Sequence, residues 1–124
     1  MEKKNLTDGE WRVMECFWEC SPRTVMQVVE YLNEKHGWAK STSITMLTRM
    51  EKKNLLICDS SGKAKLYTPN VKREDAVLEE TKTFLDKVYS GSVGLMMSAM
   101  VDSSELSKEE IDELYEILKK AKGK

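Results

Sequence analysis

Apolar and polar residues recur along this chain with the period of a helix over most of its length, and with the spacing of strands over one short stretch. Val13, Met14, Phe17 and Trp18 fall at i, i+1, i+4 and i+5, which lines one face of a helix. This helix opens at Leu6-Thr7-Asp8-Gly9-Glu10, where Thr7 can cap free backbone amides and Glu10 can reach back to complete a capping box. Ser21-Pro22 ends it. Thr24 and Gln27 repeat the signal ahead of a stripe of Val25, Val28, Val29 and Leu32, with an exit at His36-Gly37. A third helix is predicted from about Lys40 to Lys53, with Ser43, Met46, Leu47 and Met50 facing inward, and Asn54 suits a left-handed exit. Two strands, Leu55–Asp59 and Ala64–Thr68, then flank a turn at Ser60–Lys63 and are closed by Pro69. Three helices followed by a hairpin is the element order of a winged helix-turn-helix.

Beyond Pro69 the pattern is helical throughout. A long helix from about Arg73 to Tyr89 carries Val77, Leu78, Thr81, Phe84, Leu85 and Val88 on one side, and Ser90-Gly91 breaks it. Val93, Met96, Met97, Met100 and Val101 mark a short, very apolar helix. Ser107 and Glu110 form a third capping box, opening a last helix faced by Ile111, Leu114, Tyr115 and Leu118. Amphipathic helices of this size have little to bury against except each other or a second copy. The expected fold is therefore mainly α with a small β-hairpin: a winged-helix domain over 1–70 and a helical dimerisation arm over 71–124. Phe84, Val88, Met96, Met97, Met100, Leu114, Tyr115 and Leu118 are the expected dimer contacts. The basic tail Lys119–Lys124 is expected to fray.

Composition adds exclusions. The 124 residues are 40% hydrophobic and 33% charged, ordinary for a folded soluble chain. No apolar run approaches the roughly 20 residues that span a bilayer. Met1-Glu2-Lys3-Lys4-Asn5 has no apolar leader core, so a cytoplasmic protein is expected. Three cysteines, Cys16, Cys20 and Cys58, form no CxxC pair, and the lone histidine is His36. Reduced thiols and no metal site are the plainer reading. The methionines of Leu95–Met100 invite a copper(I)-thioether reading, but at helical spacing they read as adaptable packing. Without a nucleophile elbow, glycine-rich phosphate loop or ligand cluster, neither catalysis nor a cofactor is expected.

The net charge of −1 conceals an asymmetry. Lys35 to Lys65 holds seven basic and two acidic residues, whereas Val71 to the end holds nine basic and twelve acidic. The basic stretch coincides with the third helix and the wing. Rotation by about 100° per residue puts Ser41, Thr45, Thr48, Arg49 and Lys52 opposite the core stripe, with Thr42 at the edge. Hydroxyls can bond phosphates or base edges, Arg49 can grip a guanine bidentately, and Lys52 can neutralise a phosphate. Ile44 lies beside this face, where an apolar side chain either meets a thymine methyl or covers the approach to the wing. At the hairpin tip, Lys63 and Lys65 suit the DNA backbone, and lysines there also protect a strand edge. Double-stranded DNA is the expected partner. Two competing readings are a winged-helix protein-interaction module and a regulator sensing thiols or metal through its cysteines.

These residues resemble a known family. The segment Leu6-Thr7-Asp8-Gly9-Glu10-Trp11-Arg12-Val13-Met14, then Trp38, Thr42, Thr45–Met50 and Lys52-Lys53 are similar to the penicillinase and methicillin-resistance repressors (the BlaI/MecI group, related to the copper-responsive CopY repressors). Tyr67–Asn70 and Leu106–Leu114 match as well, so the resemblance runs in register over nearly the whole chain. It implies a repressor that binds a palindromic operator as a homodimer, with Ser41, Thr42, Thr45 and Arg49 as contacts. It further implies a membrane sensor-protease partner and cleavage within the arm, near Ala99-Met100. The relatives' cleaved bond is Asn-Phe, where this chain has Ala-Met, and Ser41 and Ile44 replace residues usually basic or polar. The paired-cysteine tail of the copper-responsive branch is absent.

Overall fold

Each of the three capping boxes forms. Thr7, Thr24 and Ser107 accept the amides of Glu10, Gln27 and Glu110, whose side chains accept the cap amides in return. These start helices α1 (Asp8–Glu19), α2 (Val25–His36) and the last helix of the chain. A cap of this kind satisfies otherwise orphaned donors and contributes about 0.5–2 kcal/mol. The computed structural model describes residues 5–123. Met1–Lys4, on which the expectation of no leader rests, and Lys124 in the tail lie outside the described residues.

The chain divides into two compact units, residues 1–81 and 82–124. In the first, α1 and α2 pack with α3 (Lys40–Lys52) around Val13, Met14, Phe17, Val28, Leu32, Leu47 and Met50, all essentially inaccessible. Burying each of these larger side chains stabilises by roughly 1.5–3 kcal/mol. The turn that aims α3 is set by Gly37, left-handed at φ 68°, and by the Asn33 amide donating to the Trp38 carbonyl at 3.1 Å. Asn54 is left-handed as expected, at φ 64°. Beside it, the Leu55 amide donates to the Met50 carbonyl and the Asn54 amide to that of Glu51, closing the helix end.

The first hairpin strand begins one residue later than expected, at Leu56, although the Leu55 carbonyl still accepts the Asn70 amide at 2.9 Å. The strands are β2 (Leu56–Asp59) and β3 (Leu66–Pro69), antiparallel with Cys58 opposite Tyr67. Ala64 and Lys65 belong to the loop. A strand absent from the sequence reading, β1 (Arg23–Thr24), pairs with the other edge of β3, so the sheet has three strands in the order β1-β3-β2. Two residues are too few to carry an alternation pattern, and only pairing with β3 makes them a strand. Arg23 also terminates α1, its Nε donating to the carbonyls of Cys16 and Cys20 at 3.0 and 2.9 Å.

Helix α4 (Arg73–Tyr89) contains the division between the units. Its approach is tied to the first unit by Trp18, whose indole N–H donates to the Val71 carbonyl at 2.9 Å. Trp11 packs edge-on to Trp18 with ring centroids 5.3 Å apart. The second unit comprises the end of α4, α5 (Val93–Asp102) and α6 (Lys108–Lys122). Within the described residues α6 continues through most of the basic tail, to Lys122. Lysine and alanine are good helix formers, and Lys119, Lys120 and Lys122 complement the negative end of the helix dipole. Among the described residues of this unit none is fully buried. No helix among the described residues is long and apolar enough to cross a membrane.

Candidate nucleic-acid interface

Helix α3 turns two unlike faces outward and inward. Ser43, Leu47 and Met50 are buried and Met46 half-buried, while Ser41, Thr42, Thr45, Thr48, Arg49 and Lys52 are all exposed. Ser41, Thr42, Thr45, Met46 and Arg49 line a shallow open concavity along the helix. The N-cap of α3 is Ala39, which makes no side-chain cap, so no capping side chain covers the positive end of the helix. The wing loop carries Lys63 and Lys65, both exposed. Its entry is shaped by Asp59, whose carboxylate accepts the Ser61 amide at 2.9 Å and the Ser61 hydroxyl at 2.6 Å. These two hydrogen bonds hold the Asp59 carboxyl below the usual aspartate range.

Two side chains behave differently from what spacing alone suggests. The Thr48 hydroxyl donates to the Ile44 carbonyl one turn earlier, at 3.1 Å. Its proton is committed to the helix, leaving its oxygen lone pairs and methyl for a partner; threonine within a helix commonly bonds back in this way. Lys53, counted in the basic stretch, lies 2.6 Å from the buried Glu10 carboxylate. Its charge is thereby partly neutralised within the fold. Burial raises the Glu10 pKa, but Lys53 and the Thr7 amide outweigh it and leave it lowered.

The arm residues are distributed unevenly. Phe84, Val88, Tyr115 and Leu118 are exposed, the last two at 69% and 68%. Met96, Met97, Met100 and Leu114 are half-buried. Ala99 is exposed and, with Met100, lies within α5. Of the cysteines, Cys16 is buried, Cys20 exposed and Cys58 half-buried. Burial pushes the Cys16 thiol up to about 11 despite the opposing charge of Arg23, which disfavours the reactive thiolate. Among the described residues no three His, Cys, Asp or Glu stand together as metal ligands.

The sequence model of the Penicillinase repressor family matches residues 6–120. The chain belongs to this family. It is 33% identical over 119 residues to the penicillinase repressor of Bacillus licheniformis, covering 96% of this chain and 93% of that protein. The methicillin resistance regulatory protein MecI of Mammaliicoccus sciuri is 29% identical over 115 residues, covering 93% and 94%. Among solved structures, the Bacillus licheniformis BlaI monomeric form in complex with the blaP half-operator superposes with a TM-score of 0.53 at 32% identity. That match covers 58% of this chain and 88% of the other. The family is one of transcriptional repressors rather than enzymes, and its winged-helix fold is the fold of this chain.

Proposed function

We propose that this chain is a cytoplasmic transcriptional repressor that binds a palindromic operator as a homodimer. The observation that carries the proposal is the exposed polar and basic face of α3, together with the exposed Lys63 and Lys65 of the wing loop, on a fold that in BlaI was solved with a half-operator. Residues 1–70 read the DNA. Arg49 is assigned to a base edge, and Ser41, Thr42, Thr45 and Thr48 to phosphates or base edges. Lys52, Lys63 and Lys65 are assigned to the backbone.

Residues 71–124 join the two copies. The support is physical: α5 and α6 contain no buried residue, yet expose Leu95, Ile111, Tyr115, Ile117 and Leu118. A second copy would give these side chains a core. Joined half-sites then bind through effective concentration, with affinity beyond that of either alone.

Release is assigned to proteolysis in the arm under a membrane sensor-protease. The Ala99-Met100 bond is inside α5, where the Ala99 carbonyl accepts the Ser103 amide and the Met100 carbonyl accepts that of Glu105. This turn must unwind before an extended protease cleft can hold it.

Selection of bound duplexes from random DNA tests the proposal. Two inverted half-sites about 34–36 Å apart, or a multiple of that, are expected for two recognition helices entering one face of the duplex. Recovery of no enriched site, together with salt-insensitive binding to a protein, would favour the protein-interaction reading instead.

A further inference from the structure

We infer that Ile44 and Thr48 form an apolar strip on α3 that reads a thymine C5-methyl, setting specificity on the flank opposite Arg49; the inference rests on the DNA-binding reading above. Ile44 is 38% exposed on the outer side of α3, beside the exposed Thr45 and Thr48, so part of its apolar side chain is open to a partner. Four residues on, Thr48 stands on the same side of the helix. Its hydroxyl proton is held by the Ile44 carbonyl, so what it offers a partner is its γ-methyl and its oxygen lone pairs, not a donor. The two residues together offer part of a sec-butyl side chain and a methyl to whatever lies against that flank. Arg49 is five positions from Ile44, about 140° around the helix, so the guanidinium and the strip face different base pairs of one groove.

In the major groove, thymine alone displays a methyl group, and apolar contact with it is a recognised means of base discrimination. Burying one methyl is worth about a fourfold change in affinity.

The test uses the duplex recovered by selection, with each thymine replaced in turn by deoxyuridine, which removes only the methyl. One thymine per half-site is expected to lose about fourfold in affinity for the wild-type protein. In Ile44→Ala the same replacement is expected to cost nothing further, because the contact is already gone. Thr48→Val, which keeps the methyl, should retain the discrimination, and Thr48→Ser, which keeps the hydroxyl, should weaken it. If Ile44→Ala melts early, Ile44→Val supplies the same reading with one methylene removed. Deoxyuridine penalties that are undiminished in every Ile44 variant, or absent at every thymine, would overturn the inference while leaving DNA binding intact. Failure to recover any enriched duplex would instead overturn the DNA-binding reading itself.

Discussion

The ammonium of Lys53 lies 2.6 Å from the carboxylate of Glu10, linking the end of α3 to the first turn of α1. The same carboxylate accepts the Thr7 amide at 2.9 Å, so one buried acid both completes a capping box and anchors the exit of the helix assigned to DNA. Opposing its desolvation are Lys53 and Thr7, and the net result is a pKa below the ordinary 4.5. The unfolded chain thus holds this proton more tightly than the folded one. Stability from Glu10 is complete above about pH 4.5 and is lost as pH falls through the lower folded value. Chemical denaturation of Glu10→Gln against wild type should give a loss of about 1–3 kcal/mol at neutral pH. The difference between the two proteins should shrink in acid; an unchanged difference at low pH would separate the effect from ionisation.

Ser43 is fully buried in α3, and its hydroxyl has no hydrogen-bond partner among the described residues. Replacing it with alanine removes an unsatisfied polar atom and improves helix propensity. Ser43→Ala should be neutral or raise stability by up to about 1 kcal/mol. A clear drop in the denaturation midpoint would contradict the assignment of an unpaired hydroxyl.

Trp18→Phe keeps an aromatic ring beside Trp11 but removes the N–H that holds the Val71 carbonyl. A loss of about 1–2 kcal/mol is expected. Faster amide exchange at the start of α4 should accompany it, since this hydrogen bond ties the segment before α4 to α1.

Arg49 and Lys63 are expected to fail differently on DNA. Arg49→Ala should cost roughly 1–3 kcal/mol on the selected site and much less on random duplex. Lys63→Ala should weaken both about equally and reduce the salt dependence of binding by about one phosphate contact. Titrations at several salt concentrations distinguish the two patterns.

Leu118→Glu places a charge on the exposed stripe of α6. Under the proposed dimerisation, sedimentation should show a lower mass than wild type at equal concentration, with operator affinity falling by the two to four orders of magnitude that linkage can supply. Unchanged mass and affinity would remove α6 from the dimer contact.

The local elements were legible in the sequence because their signals are local. Thr7 with Glu10, Thr24 with Gln27 and Ser107 with Glu110 specify helix starts through bonds spanning three residues. The period of Ser43, Leu47 and Met50 separated the inner face of α3 from its polar outer face before any packing was known. Other features depend on residues distant in sequence. β1 exists only because β3 passes beside Arg23 and Thr24, and Lys53 is drawn from the basic patch by an acid forty-three positions earlier. Thr48 kept its place on the outer face, but its hydroxyl was claimed by the backbone of its own helix. Spacing thus determined which side chains share a face. Tertiary contacts and the three-dimensional hydrogen-bond geometry decided which of their polar groups remain available to a partner.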